Sequence, residues 1–250
     1  MNLIVRQKEI GWLLKEKYLG KPTKQFYKDV ERIKAGEPVD YVIGFIEFLG
    51  CRIDLLKKPL IPRPETEFWV SKALAEFRIQ NTEFRILDIF AGSGCIGLAI
   101  LKHVKNATVF FADKYQYFDS PNFIKSDVFS NVKDKFDYVF ANPPYIPKTN
   151  KNRIQKSVLQ YEPKTALFGG QDGFFYIKKF LKQAKRYLNP TSPRLRQGFD
   201  GQARIRGARI FMEFSPEQKK GIERLLKTYG YTAWEFHKDQ FKRWRWVEIY

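Results

Sequence analysis

The chain has 250 residues, enough for one large domain or for a domain with an appendage. Hydrophobic residues make up 44% of it and aromatic residues 16%, so a packed core is expected. Two cysteines and two histidines argue against a disulfide framework and a zinc cluster. No apolar stretch reaches the roughly 20 residues that span a bilayer, and the charged N-terminus is unlike a signal peptide. We therefore expect a cytoplasmic protein without a membrane partner.

The chain is strongly basic, with a formal net charge of +18 from 45 lysines and arginines against 27 acidic residues. Such a charge favours an anionic partner, and contact with RNA or a ribosome through a basic surface is one expectation. A lysine-rich background composition would give the same charge without any partner. The charge bears on association and not on the fold.

The first part of the chain predicts helices followed by a hairpin. Apolar residues recur at helical spacing in residues 1 to 35, with a break at Gly20. Alternating apolar and polar side chains in residues 41 to 56 indicate a β-hairpin. An extended stretch then leads to a predicted helix over residues 68 to 77, with Glu65 or Thr66 as its candidate cap.

A strand, a glycine turn and a helix come next. Residues 86 to 90 are a short apolar run typical of a buried parallel strand, and residues 95 to 104 predict a helix. Between them, the AGSG sequence of residues 91 to 94 would let a ligand approach the backbone closely. The helix N-terminus offers unpaired N–H groups to an anionic part of that ligand. A tight turn without a ligand is the alternative, because neither GxGxxG nor a P-loop is present.

The following strands are predicted to end in polar side chains. Residues 108 to 112 precede Asp113, and an acidic residue at this place can accept hydrogen bonds from ribose hydroxyls. Residues 123 to 129 predict another strand, with Asp127 near its end. The carboxyl ends of neighbouring parallel strands converge on one crevice, where ligands bind in open α/β sheets. These polar residues therefore indicate a single pocket.

The next predicted strand, residues 136 to 141, runs directly into Asn142, Pro143, Pro144 and Tyr145. Each proline fixes its own φ and restricts the residue before it, so the backbone here is rigid. Its carbonyl groups and the asparagine side chain can accept hydrogen bonds from a planar –NH2 group, and the tyrosine ring can stack on that group. A proline-terminated loop with a structural tyrosine is the alternative.

The rest of the chain continues the alternation of helices and strands. Residues 148 to 156 are predicted as a polar loop, and residues 174 to 188 as an amphipathic helix. A strand is predicted over residues 209 to 214 and a second helix over residues 216 to 229. Residues 232 to 237 and 243 to 249 are predicted as a closing strand pair. Residues 161 to 163 and 169 to 173 are expected as loops beside the pocket. Residues 190 to 207 form a basic insertion rich in Pro, Gly, Arg and Gln, either inert or an arm that touches RNA.

Several stretches of the sequence resemble the release factor glutamine methyltransferases of the HemK/PrmC type. They are GEPVDYVIGFIEFLG, LIPRPETE, ILDIFAGSGCIGLAI, SDVF, FANPPYIP, YEPKTALFGGQDGFFYI and MEFSPEQ. LIPRPETE and the YEP segment are not general features of methyltransferases. The chain departs from the family in its shorter helical region before residue 36, in the short segment between Asp113 and Phe123, and in the insertion at residues 190 to 207.

The resemblance implies a fold and an organisation. The fold is an α/β, Rossmann-like class I methyltransferase sheet, mostly parallel and seven-stranded, with a small N-terminal helical region and a β-hairpin linker. Residues 1 to 35 would be the helical region, residues 36 to 80 the hairpin and linker helix, and residues 81 to 250 the methyltransferase domain. A monomer is expected.

The resemblance also implies an activity, which is methyl transfer from S-adenosylmethionine to the side-chain amide nitrogen (N5) of a glutamine. The expected substrate is the GGQ glutamine of a peptide chain release factor. The implied cofactor-binding residues are Phe90, Ala91, Gly92, Ser93 and Gly94 at the methionine end, Asp113 at the ribose, Asp127 and Val128 near the adenine, and Asn142. The implied catalytic residues are Asn142, Pro143 and Tyr145, and these bind substrate together with Pro144, Arg63 and Glu65; no metal is expected.

Three other functions remain open from the sequence. An exocyclic adenine –NH2 presents the same geometry as a glutamine amide, so N6-adenine methylation of DNA or RNA is one alternative. The chain lacks a recognisable target-recognition domain for that role. Glutamine methylation of a ribosomal protein is the second alternative. A non-enzymatic RNA-binding protein that keeps the fold is the third.

Overall fold

The computed structural model describes residues 3–75, 83–191 and 207–250. The α-helices of this part are α1 (Leu3–Glu16), α2 (Lys24–Lys34), α3 (Val39–Ile43), α4 (Pro64–Ala75), α5 (Cys95–His103), α6 (Lys156–Tyr161), α7 (Lys164–Leu167), α8 (Phe175–Ala184) and α9 (Lys219–Thr228). Its strands are β1 (Phe45–Phe48), β2 (Cys51–Asp54), β3 (Phe84–Ile89), β4 (Ala107–Asp113), β5 (Phe123–Lys125), β6 (Tyr138–Ala141), β7 (Arg209–Glu213), β8 (Trp234–Lys238) and β9 (Trp244–Ile249). Short 3-10 helices cover Lys148–Arg153, Lys185–Tyr187 and Pro216–Gln218.

Seven strands form one sheet in the order β5-β4-β3-β6-β7-β9-β8. The five strands from β5 to β7 run parallel, whereas β9 is antiparallel to both of its neighbours. The predicted fold class is confirmed. The parallel strands deliver their carboxyl ends to one edge of the sheet, where a ligand site is expected.

Helices cover both faces of this sheet. Side chains alternate between faces along β3, so Ile86 belongs to a core shared with Trp69 of α4 and Ala99 of α5, whereas Leu87 belongs to the core formed with Ile177 of α8. All five of these side chains are buried. Two apolar layers therefore hold β3 and β6 in a fixed position beneath the sheet edge.

The first three helices pack around a smaller core of their own. Leu13 of α1, Ile33 of α2 and Val42 of α3 are almost completely buried in it. Asp29 is buried beside this core and forms ion pairs with Lys17 and Arg32. The helical character predicted for residues 1 to 35 is confirmed where the structure describes them, and the domain boundaries at residues 35 and 80 stay a prediction.

The hairpin of β1 and β2 is shorter than the predicted span of residues 41 to 56. Tyr41 belongs to α3, which buries both Tyr41 and Val42. Gly44 ends this helix with a φ of +96°, a conformation that suits glycine. Burial against the neighbouring helices has outweighed the alternating pattern at the start of this segment.

Two predicted boundaries were wrong, and one predicted loop contains a short helix. Helix α4 begins at Pro64 instead of residue 68, since proline is well suited to the first turn of a helix. The strand predicted over residues 123 to 129 ends at Lys125, because Val128 has a φ of +58°, which no strand accommodates. The predicted loop over residues 148 to 156 contains a 3-10 helix.

Most of the predicted basic insertion, residues 192 to 206, lies outside the described residues, as do residues 76 and 77 of the predicted linker helix. Among the described residues, no helix combines the length and apolar character that a membrane crossing requires. In that same part of the chain, no three His, Cys, Asp or Glu side chains are grouped so as to bind a metal ion.

Candidate active site

The glycine loop (residues 90 to 94) and the proline corner (residues 142 to 145) lie side by side. Ile89 at the end of β3 pairs with Ala141 at the end of β6 and with Ala112 of β4. The residues that follow these three strand ends therefore meet at one edge of the sheet. The convergence predicted from the sequence is present in the structure.

The glycine loop is shaped by left-handed backbone conformations. Phe90, Gly92 and Gly94 have φ angles of +62°, +52° and +76°, and the amide of Gly94 donates to the Ala91 carbonyl over 2.7 Å. A Cβ at Gly94 would lie 2.6 Å from the Phe118 ring, so no larger residue fits there. A Cβ at Gly92 would meet no neighbour closer than 3.9 Å, which leaves room beside its backbone.

The Asp113 carboxylate holds the glycine loop in place. One oxygen accepts a hydrogen bond from the Gly92 amide (2.9 Å) and the other accepts one from the Tyr115 amide (3.0 Å). Burial raises the pKa of Asp113, and these main-chain hydrogen bonds oppose that rise. Each carboxylate oxygen keeps a further lone pair for a ligand hydroxyl.

Asp127 and Val128 line the same crevice. Asp127 forms ion pairs with Lys179 (2.9 Å) and Lys114 (3.2 Å). Burial acts to raise the pKa of Asp127, but hydrogen bonds from these two lysines outweigh it and hold the pKa below its ordinary value. Val128 is buried, and its carbonyl accepts from the Ser126 hydroxyl over 2.7 Å.

These elements enclose a first cavity of about 890 Å³, including its open mouth. The predicted site residues that line it are Arg63, Phe90, Ala91, Gly92, Ser93, Asp113, Asp127, Val128, Asn142 and Pro144. Gly94 turns the chain behind this cavity and is not among its lining residues. A crevice of this size falls in the range of small-molecule and cofactor sites.

A second cavity lies against the other side of the corner. Pro143, Tyr145, Ile154, Val158 and Glu213 are among the residues that line it. Four residues line both cavities, and these are Leu60, Arg63, Asn142 and Ala166. Asn142 is thus placed at the junction, between the glycine loop on one side and the Tyr145 ring on the other.

The backbone of the corner is held from behind by the glycine segment of residues 169 to 173. A Cβ on Gly169 would collide with the Pro144 carbonyl, and a Cβ on Gly173, whose φ is +78°, would collide with the Tyr145 carbonyl. The Gln218 side chain donates to the carbonyls of Tyr145 (3.1 Å) and Gly173 (3.0 Å). This close backbone contact accounts for glycines at both positions.

Side chains of the corner form hydrogen bonds with two residues, Thr66 and Glu213, that the sequence motifs did not indicate as site residues. The Tyr145 hydroxyl donates to Glu213 over 3.0 Å, and the Asn142 amide nitrogen donates to Thr66 over 3.4 Å. Burial raises the pKa of Tyr145 above its ordinary value, and the nearby Glu213 charge raises it further, so this phenol stays protonated. An acidic residue at the end of β7, beside β6, was the signal that could have identified Glu213.

The two predicted substrate residues at the start of α4, Arg63 just before it and Glu65 in its first turn, have different surroundings. One Arg63 nitrogen donates to both carboxylate oxygens of Glu162, at 2.7 and 2.8 Å, and Arg63 lines both cavities. Glu65 instead forms an ion pair with Arg243 over 2.9 Å and lies outside the lining of both cavities. The substrate role predicted for each stays a prediction.

The amino-acid sequence of the chain is similar to those of several known proteins. Family models gave no match. The chain is 32% identical over 225 residues to the release factor glutamine methyltransferase of Thermodesulfovibrio yellowstonii, covering 84% of this chain and 75% of that protein. In an alignment of 256 positions it is 27% identical to the protein of the same name from Lactococcus lactis, covering 96% of this chain and 88% of that one.

Among solved structures, the ribosomal protein L11 methylase of Lactobacillus delbrueckii subsp. bulgaricus shares the fold. The TM-score is 0.51 at 14% identity, over 79% of this chain and 83% of that chain. The mostly parallel, seven-stranded sheet is the one that the resemblance implied, so sequence and fold agree. The chain belongs to the family of release factor glutamine methyltransferases.

Proposed function

We propose that this protein transfers the methyl group of S-adenosylmethionine to the side-chain amide nitrogen of a glutamine in a peptide chain release factor. The observation that carries the proposal is the position of Asn142, which lines both cavities. A group bound in the first cavity and a side chain bound in the second would meet beside this residue. Transfer between two bound molecules requires such a junction.

The residues that line the first cavity support S-adenosylmethionine as the methyl donor. The open space beside Gly92 leaves its backbone accessible, and the Asp113 carboxylate retains acceptors for two hydroxyl groups. Val128 offers an apolar surface next to Asp127. When bound, the cofactor supplies a methyl group already activated by its sulfonium charge. The roles of residues 90 to 94, Asp113, Asp127 and Val128 in holding it are part of the proposal.

The corner would prepare the acceptor amide. An amide nitrogen is a poor nucleophile because its lone pair is delocalised into the carbonyl. The Asn142 side-chain oxygen and the Pro143 backbone carbonyl would accept the two N–H bonds of the glutamine –NH2, which favours a more pyramidal nitrogen. Tyr145, fixed through its hydroxyl by Glu213, would hold the plane of the amide. Aim and orientation then supply much of the catalysis.

The second cavity would admit the glutamine side chain. Ile154 and Val158 give it apolar walls, whereas Arg63 is held at its rim by Glu162. Contact of the basic surface with RNA or the ribosome, the cytoplasmic location and the monomeric state remain predictions. The expected roles of Arg63, Glu65 and Pro144 in substrate binding also remain predictions.

The test is mass spectrometry of three acceptors incubated with the protein and labelled S-adenosylmethionine. The acceptors are a release factor, a ribosomal protein and an adenine-containing oligonucleotide. The proposal expects one added methyl on a loop glutamine of the release factor. Label found in the oligonucleotide or the ribosomal protein, and absent from the release factor, would refute it.

A further inference from the structure

The corner is connected by hydrogen bonds to a buried carboxylate, that of Glu213 at the end of β7. We propose that Glu213 and Thr66 form a hydrogen-bond relay that fixes the orientation of the Asn142 carboxamide, so that its oxygen faces the acceptor nitrogen. Glu213 and Thr66 act as positioning residues in this relay. The inference rests on the proposed function, because it explains how Asn142 comes to offer an acceptor.

Glu213 accepts hydrogen bonds from both sides of the junction. One of its oxygens accepts from the Thr66 hydroxyl and from the Trp69 indole N–H, both at 2.7 Å. The other oxygen accepts from the Tyr145 hydroxyl at 3.0 Å. Glu213 and Thr66 have exposed fractions of only 1% and 2%. All three neighbours are donors in these hydrogen bonds, and the two carboxylate oxygens are the acceptors.

The direction of the relay follows from the single hydrogen of a hydroxyl group. Thr66 gives its hydrogen to Glu213, so its oxygen can only accept from any other neighbour. The other neighbour is the Asn142 carboxamide, whose nitrogen lies 3.4 Å from the Thr66 oxygen. If the carboxamide were flipped, its oxygen would face the lone pairs of Thr66 in a buried site.

The shape of a carboxamide does not distinguish its oxygen from its nitrogen, and the hydrogen-bond network decides between the two orientations. With the nitrogen held by Thr66, the Asn142 oxygen is left for the junction of the two cavities. The lone pair of the glutamine nitrogen must stay free to attack the methyl group, so its –NH2 group can take part in hydrogen bonds only as a donor. The relay therefore provides the acceptor that the proposed chemistry needs.

The buried carboxylate is compensated by its surroundings. Burial raises the pKa of Glu213, while hydrogen bonds from Thr66 and Trp69 and the charge of Arg245 oppose that rise. Arg245 is itself held by Asp239 at 3.2 Å. The side chains around the carboxylate on this side, those of Thr66, Trp69, Asp239 and Arg245, are each exposed to water by no more than 8%, so these hydrogen bonds lie in a buried environment.

Three variants test the relay by steady-state kinetics on the full-length protein with a release factor substrate. Thr66→Val keeps the shape but removes the hydroxyl, and Thr66→Ser restores it. Trp69→Phe removes the other donor to the same Glu213 oxygen and leaves the relay intact. We expect Thr66→Val to lower kcat about 100-fold, as for loss of one preorganised catalytic hydrogen bond.

The other two variants separate the relay from a general loss of packing. Thr66→Ser should recover kcat to within about 3-fold of the wild-type value. Trp69→Phe should lower the melting temperature while its kcat stays close to that of the wild type. Cofactor affinity, measured by calorimetry, should stay within about 2-fold for Thr66→Val. A kcat loss in Trp69→Phe equal to that in Thr66→Val, failure of serine to rescue, or normal turnover of Thr66→Val would each overturn the relay.

A second readout does not depend on turnover. In NMR spectra, the Asn142 side-chain NH2 signals are those missing from Asn142→Ala, and they should show a nuclear Overhauser effect to the Thr66 methyl group. That contact without any methyl transfer would refute the proposed function and leave the relay standing. Methyl transfer without the contact would refute the relay and leave the function standing.

Discussion

The two sides of the junction are built in different ways. On the cofactor side, contiguous segments at strand ends shape the cavity, and a main-chain contact from Asp113 to Gly92 fixes the loop. On the acceptor side, the corner is rigid in itself, but its side chains are held by Thr66 and Glu213, which come from distant parts of the chain. The first cavity therefore depends mainly on local sequence, and the second depends mainly on tertiary contacts.

The largest expected effect is that of a substitution at Asn142, where the cofactor side and the acceptor side meet. Asn142→Ala removes the acceptor for the glutamine amide, and we expect kcat to fall about 1,000-fold or more. Cofactor affinity should change by less than about 3-fold, because the glycine loop and Asp113 are untouched. Methyl transfer to the release factor and calorimetry with S-adenosylmethionine measure the two quantities. Equal losses in both would contradict the role given to Asn142.

A substitution behind the corner should act almost as strongly. In Gly173→Ala the new Cβ would collide with the Tyr145 carbonyl and press against Gln218, so the corner must shift. A displacement of about 1 Å at a catalytic group can cost roughly 100-fold, and we expect that loss in kcat.

Gly230→Ala is the matched control for this substitution. Gly230 has a similar φ of +73°, but a Cβ there would meet nothing within 4 Å. It should therefore lose about 1 kcal/mol of stability from the left-handed conformation and keep its kcat. If both variants lost activity equally, backbone strain and not displacement of the corner would be the cause.

A substitution on the cofactor side should give the opposite kinetic pattern. Asp113→Asn can accept from only one of the two main-chain amides that the carboxylate now binds, at Gly92 and Tyr115. It also places an NH2 group, which cannot accept, where one carboxylate oxygen has a lone pair for a ligand hydroxyl. Loss of one hydrogen bond to a charged group costs about 1.5–3 kcal/mol, so cofactor affinity should fall roughly 10- to 100-fold. At saturating cofactor, kcat should be close to normal. Calorimetry and initial rates distinguish this result from a loss of kcat alone.

The smallest effect on catalysis is expected far from both cavities. Burial acts to raise the pKa of Asp29, but hydrogen bonds from Lys17, Tyr18 and Arg32 outweigh it and lower the pKa to about 2, against 3.8 ordinarily. This carboxylate contributes about 2 kcal/mol to stability above pH 3.8, and the contribution is lost as pH falls through about 2.

Asp29→Asn should accordingly reduce the free energy of unfolding by about 2 kcal/mol at pH 7, with little change in kcat. The free energies of unfolding of the two proteins, measured by denaturant titration, should converge as the pH is lowered to about 2, where wild-type Asp29 loses its charge. A stability difference that persists unchanged at that pH would show that the hydrogen-bonded carboxylate is not its origin.

Most of the cofactor side could be predicted from the sequence because its signals are local. The strand, the glycine turn and the helix follow one another from residue 84 to residue 103, and Asp113 ends the next strand. The corner was equally visible, since its prolines restrict the backbone by themselves. Each of these features lies where a parallel strand ends, a position that an α/β pattern fixes.

The support of the corner could not be predicted in the same way. Thr66 is 76 residues from Asn142, and Glu213 is 68 residues from Tyr145. The left-handed conformation of Val128 and the ion pair of Glu65 with Arg243 likewise depend on packing that no local pattern encodes. Such contacts follow only once the sheet order has brought β6, β7 and α4 together.

The proposed role of Asn142 at the junction of the two cavities is tested most directly by a structure of the complex with S-adenosylhomocysteine and a glutamine-containing release factor peptide. We expect the amide nitrogen within hydrogen-bond distance of the Asn142 side-chain oxygen and the Pro143 carbonyl, pointing at the cofactor sulfur. A glutamine bound elsewhere, or a carboxamide of Asn142 turned with its nitrogen toward the peptide, would contradict the account.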